Sequence, residues 1–508
     1  MNLGSLDVED TPAVRAMFPD ITPKNGFLTL DYTPRSTIAL RAIGYNVQPS
    51  ISLTYKWCGG TPFEIQIKTC ELMTEHPRCF VLNSMGTGKT RCALWAFDYL
   101  KKLKHAHKML VVCPLSTMTF TWAAEILKVV PHLRVAVLYG TAEKRLKLLA
   151  NPDIDVYIIN HDGLKIVASE IIERTDIDVV CLDELAVYRN NTQRTKVATQ
   201  VCKGKAVVWG MTGAPMPNAV TDIFQQIRII APHRVPRYFS WFRDELQVRL
   251  DQFRWANKPG AIEKAFSYMQ PSVRYTLDDI TELPEAYVPP PQQTAIEPEQ
   301  KRAYDELRKF AGTLVAKGQV TAMNAAVLMG KLLQISMGWV YDSKREVHHL
   351  GGGPRLDALV DIIAGAEGKT IVFAPYRHVL TGIVDHLEDC GYHPLVVHGD
   401  TPPKVRNEVF NTFQNNLVDR SPLVVYPRCI SHGLTLTAAN TSVWFGPILS
   451  AETYDQCNAR TRRVGQQRKQ LFAHLWSTPM EKRVYDLLTK RLLQQDTFLS
   501  LLEEASWD

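Results

Sequence analysis

The chain has 508 residues, 45% hydrophobic and 22% charged, a make-up that excludes a disordered chain and suggests on the order of two to four folded domains. Its 58 basic and 52 acidic residues give a net charge of +6, too mild by itself to establish a polyanionic partner. There is no apolar run of about 18 residues and the opening MNLGSLDVED is acidic, so neither a membrane span nor secretion is indicated and a cytoplasmic location is expected.

Residues 1–61 carry no long helical period, and FLTL and SISLTY alternate as short strands do, which suggests a small accessory segment. From residue 62 the pattern changes. MLVVCP, DVYIIN, DVVCLDE and AVVWGMTG are strand-like apolar runs separated by amphipathic stretches, the signature of an α/β layer around a parallel sheet. The stretch from 232 to 350 is helical in pattern and broken by Pro289, Pro290 and Pro291, and Gly351, Gly352 and Gly353 follow it; these read as hinge and linker punctuation. The glycine triplet has no buried strand before it, which argues against a phosphate cradle. The α/β rhythm then resumes with TIVFA, PLVVH, LVVYP, SVWFG and QLFAHLW. Two similar lobes in tandem follow, with expected divisions at 1–61, 62–285, 286–480 and 481–508. In the last segment Leu487, Leu488 and Leu492 sit at helical spacing and are expected to pack back on a lobe.

Ten cysteines are scattered without a C-x-x-C pair, so buried small hydrophobes in a reducing compartment are expected rather than a metal site. His348 and His349 carry no ligand signature, and the basic run Lys101 to Lys108 reads as a solvated helix end suited to the helix dipole.

The chemistry concentrates at NSMGTGKT. Gly86, Gly88, Lys89 and Thr90 follow a strand and open a helix, so backbone N–H groups and a helix N-terminus face an anion, Lys89 reaches its outer phosphates and Thr90 holds Mg²⁺. Asn83 occupies the place of the first glycine in a phosphate loop, and its tolerance of left-handed backbone is expected to let the loop close. At the end of another strand, VVCLDE offers Asp183 for the metal and Glu184 to take a proton from water. Downstream, QCNARTRRVGQ sets Arg460 and Arg463 three apart, on one face if helical; they are either a basic helix face or counter-charges for a transferred phosphoryl group.

In this order the motifs resemble the Swi/Snf branch of superfamily-two helicase-like motors, over roughly residues 62 to 490 and most closely its short phage and bacterial forms. NSMGTGKT stands where that family usually has Asp-Glu-Met-Gly-x-Gly-Lys-Thr, so Asn83 replaces an acidic residue there. LVVCPLSTMTFTWAAEI, with Pro114, Ser116, Trp122 and Glu125, resembles its first nucleic-acid block; MTGAPMPN resembles its third motif, and VVHGDTPPKVRNEVFNTF resembles a block of the second lobe. SHGLTLTAAN and QCNARTRRVGQ resemble its last motifs.

The resemblance implies two RecA-like lobes with an ATP cleft, and ATP and Mg²⁺ as cofactors. Gln66 would read adenine. Met85, Gly86, Thr87, Gly88, Lys89 and Thr90 would wrap the phosphates, with Gly433 and Gln456 contributing from the second lobe. Lys89, Asp183, Glu184, Arg460 and Arg463 would be catalytic, with Thr90 and Asp183 on the metal. Ser116, Thr117, Thr212, Gly399, Arg406 and Thr435 would contact sugar and phosphate. In DELA, Ala186 replaces the family's usual histidine, which questions how well hydrolysis couples to movement.

The expected activity is DNA-stimulated ATP hydrolysis that drives stepping along duplex DNA, with branched or forked DNA as the favoured substrate. The alternatives are a strand-separating helicase, for which no wedge hairpin is visible in the sequence, and a nucleotide-gated clamp that hydrolyses little.

Overall fold

A computed structural model describes residues 4–489 apart from 218, 251–254, 281–282, 317–321, 343, 345, 417, 431–433 and 464. The chain forms two units, Met1–Ile280 and Thr281–Asp508.

The first unit begins with an antiparallel pair, β1 (Ser5–Glu9) and β2 (Phe27–Asp31). Alternation puts Val8, Leu28 and Leu30 on one face, where they meet Val14 and Leu40 in a small core. The helix Pro34–Ala42 starts where Thr33 and Ser36 form a reciprocal cap and Pro34 fills the first helical position. SISLTY departs from expectation: Ser50–Thr54 is a short helix, not a strand. Ile51 and Tyr55 are buried while Leu53 is exposed, a spacing of four that fits a helical face as well as alternation. This segment is fastened to the lobe by the Tyr55 hydroxyl on buried Asp98 (2.6 Å), by Thr54 against Tyr99 (3.0 Å) and by the Trp95 indole on the Cys58 carbonyl (2.8 Å).

The lobe itself is built on β3 (Arg78–Val81), β4 (Lys108–Cys113), β5 (Val135–Val137), β6 (Val156–Asn160), β7 (Ile177–Asp183) and β8 (Val207–Met211). All pair in parallel. Helices cover both faces, so successive residues of β4 enter opposite cores: Leu110 and Val112 one, Met109, Val111 and Cys113 the other. This is why the strands read as unbroken apolar runs. After β8 the chain forms the helix Ile223–Ile230, the helix Phe239–Leu246, an antiparallel hairpin of β9 (Gln247–Arg249) and β10 (Trp255–Asn257), and the helix Ala261–Tyr268. It then returns as β11 (Ser272–Val273), and the sheet order is β11-β3-β8-β7-β4-β6-β5.

The second unit opens with β12 (Ala286–Tyr287) and β13 (Gln292–Gln293), both parallel to one strand, β20 (Gln470–Trp476). The proline run between them is therefore not a loose linker: Trp476 donates its indole N–H to the Pro291 carbonyl (2.8 Å), and an edge strand tolerates prolines because it needs fewer donors. Two helices, Pro298–Ala316 and Ala322–Ser336, and a hairpin of β14 (Trp339–Tyr341) and β15 (Val347–His349) come next. The remaining strands are β16 (Lys369–Phe373), β17 (Leu395–Val397), β18 (Leu423–Val425), β19 (Ala439–Trp444) and β20 (Gln470–Trp476), in the order β12-β20-β19-β16-β18-β17.

The glycine triplet opens the helix Gly353–Ala364. Gly351 (φ 128°) and Gly352 (φ 114°) adopt backbone that side chains rarely reach, and the Glu297 carboxylate accepts from the Gly353 N–H at 3.2 Å. The chain's own carboxylate thus serves the helix start. Two residues on, Arg355 lies buried against Glu481 with two bonds of 2.7 and 2.8 Å, and also reaches the Ser477 hydroxyl and the Phe445 carbonyl. Glu481 belongs to the helix Pro479–Thr489, whose Leu488 is buried and whose Leu487 packs on the same core; Leu492 lies outside the described residues.

Candidate active site

β3 ends at Val81 and the helix Lys89–Lys102 begins with Gly88 at its cap. Between them, left-handed backbone falls on Gly86 (φ 84°) and Gly88 (φ 86°), the two glycines of the motif. Asn83 has no positive φ, so it does not close the loop in the way expected. Its contribution is its side chain, which is 1% exposed. The amide N–H₂ donates to Thr69 Oγ1 at 2.9 Å, and the amide oxygen accepts the Tyr275 backbone N–H at 2.9 Å. Because the Thr69 hydroxyl already donates to the Ile65 carbonyl (2.6 Å), what it lacks is a donor. An amide supplies one; an ionised carboxylate does not. The residue therefore pins the loop to the preceding helix and to the chain just beyond β11.

Gln66 lies in that same helix, Glu64–Glu75, and is also buried. Its amide accepts from the Phe63 N–H (3.1 Å) and donates to the Thr87 carbonyl (3.0 Å). The φ of Gly88 favours glycine, and a Cβ there would meet Gln66 Nε2 at 2.3 Å, so the glutamine amide would have to leave its bond to Thr87. Thr87 turns its hydroxyl to the Ser84 carbonyl (2.8 Å), and Lys89 Nζ donates to the carbonyls of Asn83 (2.8 Å) and Ser84 (3.0 Å). Met85 and Thr90 are partly buried along the same turn.

Asp183 closes β7, two strands from β3, and is 9% exposed. Burial raises its carboxyl above the usual range; the Trp122 indole, the charge of Lys89 and the Glu184 N–H act the other way. Trp122 Nε1 donates to Asp183 Oδ2 at 2.9 Å, and the Glu184 N–H reaches Oδ1 at 3.1 Å. Glu184 itself sits at φ 54°, a left-handed geometry costly for a side chain with a Cβ and concentrated at working sites. Ala186 is buried in the short 3₁₀ turn Leu185–Tyr188, and Tyr188 of that turn bonds His161 at the end of β6 (2.9 Å).

The stretch that resembles a nucleic-acid block is wired to this centre. Trp122 lies in the π-helical turn Met118–Ala123, and Glu125 in the next turn pairs with Arg91, the residue after Thr90. Sequence reasoning aligned Trp122 and Glu125 but gave them no partners, and it missed Thr69, Arg91 and Tyr275. Of the expected contacts, Ser116 is exposed. Thr117 and Thr212 are buried and turn their hydroxyls inward, to the Pro114 carbonyl (2.9 Å) and the Ala214 N–H (3.3 Å), so they shape loops.

In the second unit, the helix Ala451–Asn458 stops before Arg460, so the two arginines do not share a helix face. They converge nonetheless: Arg460 and Arg463 both donate to the Leu434 carbonyl, at 3.2 and 3.0 Å. Gln456 is buried and bonds Glu452 at 3.1 Å. Gly399 and Thr435 are exposed, Arg406 donates to the Thr401 carbonyl (3.2 Å), and Gly433 lies outside the described residues.

These residues fit a magnesium nucleotide: two left-handed glycines at a helix start, an ammonium within the same loop, and a buried carboxylate that feels the ammonium's charge. Two known domain families match the chain. The SNF2-related domain matches residues 66–338 and the helicase conserved C-terminal domain residues 354–465.

The chain belongs to the SNF2-related family.

Among its SNF2-related relatives is an uncharacterized ATP-dependent helicase of Mycoplasma genitalium, 23% identical over 83% of this chain and 41% of that protein. Putative protein p41 of Acyrthosiphon pisum secondary endosymbiont phage 1 is 25% identical over 82% of this chain and 90% of that protein. The SWI2/SNF2 ATPase core of Sulfolobus solfataricus, solved in complex with dsDNA, aligns over 89% of this chain and 95% of that one at 22% identity, with a TM-score of 0.41. The chain spans about two fifths of the length of the Mycoplasma helicase. Among the described residues, no helix is long and apolar enough to cross a membrane.

Proposed function

We propose that this SNF2-related chain hydrolyses ATP when bound to duplex DNA and uses the cycle to move along it, with branched or forked DNA as its favoured substrate. The observation that carries the reading is the bond from Trp122 to Asp183, because it joins the block that resembles a nucleic-acid contact to the metal carboxylate.

In this reading Lys89 and the N–H groups from Gly86 to Thr90 hold the phosphates, while Thr90 and Asp183 hold Mg²⁺. The ion would neutralise phosphate charge and orient the terminal phosphoryl group. Glu184 takes the proton of the attacking water. Arg460 and Arg463 supply counter-charge to the γ-phosphate, a role worth on the order of 10³ to 10⁵ in rate. Ser116, Gly399, Arg406 and Thr435 track the sugar-phosphate backbone.

The test is the ATPase rate with and without blunt duplex DNA, in the parent chain and in Lys89→Ala. Strong stimulation in the parent and none in the variant is expected; a parent rate indifferent to DNA overturns the reading. A second reading, a nucleotide-gated clamp, is favoured by Ala186, whose methyl lacks the hydrogen bonding of a histidine at a buried relay position. It predicts ATP-dependent DNA retention with negligible turnover in the same assay.

A further inference from the structure

The helix Phe239–Leu246 buries Phe242 and Leu246 and so already has a core face. Three aromatics at its start stay open to solvent: Tyr238 is 50% exposed, Trp241 59%, and Phe239, at the edge of the core face against Phe224, 44%. Single exposed apolar residues need no explanation, but three on one turn, arranged with cations, do. Tyr238 and Trp241 pack edge to face at 5.1 Å, and the Arg237 guanidinium lies 5.5 Å from the Tyr238 ring. Arg243 lies 3.7 Å over Trp255 of β10 and 5.9 Å from Phe239. The result is a run of ring faces interleaved with guanidinium groups.

Charge indicates what would cover it. Among the described residues from 233 to 264 there are six cations, Arg234, Arg237, Arg243, Arg249, Lys258 and Lys264, against three carboxylates, Asp244, Glu245 and Glu263. Asp244 faces Arg243 (3.4 Å), and Glu245 is engaged by Lys264 (3.1 Å) and the Tyr268 hydroxyl. Arg234 and Arg237 are exposed. A protein-binding core would favour the same aromatics and arginine but is depleted of lysine and carboxylates. Stacking rings with a cation surplus is instead the arrangement that holds unpaired nucleotides, because every base has a π-face and every linkage a phosphate.

The location suits such a role. Phe239 and Phe242 pack on Phe224 (5.3 and 5.1 Å), and their helix contacts the turn Val220–Asp222 that follows the loop after β8. The patch therefore stands at the C-terminal end of the sheet, the end that carries Ser116 and Thr212.

We propose that Tyr238, Phe239 and Trp241, with Arg237 and Arg243, form a second nucleic-acid surface that stacks unpaired bases of single-stranded DNA at a fork or flap. This deepens the proposed function and rests on it for the duplex that the rest of the lobe would hold.

The test uses the full chain and two labelled probes, a blunt duplex and the same duplex bearing a single-stranded oligothymidylate tail, read by fluorescence anisotropy. The parent should bind the tailed probe more tightly. Trp241→Ala and Tyr238→Ala should each lose on the order of tenfold of that preference, the effect of one stacked base, whereas Trp241→Phe retains most of it. Blunt-duplex ATPase stimulation and the thermal midpoint should stay at parent values, because both side chains are exposed. Equal tailed-probe binding by parent and alanine variants overturns the surface and leaves the motor reading intact. Absent duplex stimulation in the parent overturns the motor reading instead. A change in sedimentation of the alanine variants without a change in tailed-probe binding reassigns the patch to a protein contact and overturns the proposal.

Discussion

Trp122 donates its indole N–H to Asp183 Oδ2 at 2.9 Å, so a side chain in the block that resembles a nucleic-acid contact orients the carboxylate proposed to hold the metal. Trp122→Phe keeps the ring and deletes the donor. A hydrogen bond to a charged group is worth about 1.5–3 kcal/mol, so DNA-stimulated turnover should fall by on the order of tenfold or more. Burial already favours the neutral Asp183 carboxyl and the indole opposes it. The variant's acid limb should therefore move to higher pH, which a rate-against-pH profile reads.

Asn83→Asp should weaken the first unit. The change puts a carboxylate against a Thr69 oxygen whose proton is committed to Ile65. One buried group left unsatisfied costs about 1–3 kcal/mol. Urea denaturation should show that loss at neutral pH, and ATP affinity should fall with it because the loop is no longer pinned.

Arg355→Ala should destabilise the second unit by roughly 3–5 kcal/mol, since it strands the Glu481 carboxylate, itself 0% exposed, without its guanidinium. The double replacement Arg355→Met with Glu481→Leu should recover much of that loss. Denaturation midpoints of the single and double variants check both statements.

His474 is 1% exposed, with Nε2 2.7 Å from the Tyr454 hydroxyl. Burial lowers it from 6.5 to about 4, and His378 is lowered likewise. The unfolded chain takes up these protons near pH 6.5 and the folded chain does not until about pH 4, so stability falls as pH drops through that window. His474 alone accounts for up to about 3 kcal/mol. His474→Gln should flatten the decline measured by urea melts at pH 7 and pH 5, and leave the share of His378.

Arg460→Ala should leave nucleotide binding near parent values and lower hydrolysis by on the order of 10³. Equilibrium binding of a fluorescent ATP analogue and steady-state phosphate release separate the two.

Much of the architecture was legible because strands buried on both faces must be apolar along their buried length, as MLVVC and VVCL are. SISLTY misled because Ile51 and Tyr55 satisfy two periods at once. The proline run read as a linker because its partner, β20, lies far along the chain. In the site, Lys89 and Asp183 were visible as residue types. Their supports were not, because Asn83 meets Tyr275 across 192 positions and Trp122 meets Asp183 across 61. No local pattern encodes such pairings. Glu184 shows the same limit, since a strained φ leaves no mark on composition.

The ion pair of Arg355 and Glu481 spans 126 positions, which orders events during synthesis. A ribosome that has finished the helix beginning at Gly353 has made a guanidinium whose counter-ion does not yet exist. The second unit can reach its final packing only after Glu481 has cleared the exit tunnel, so the nascent chain completes this half late.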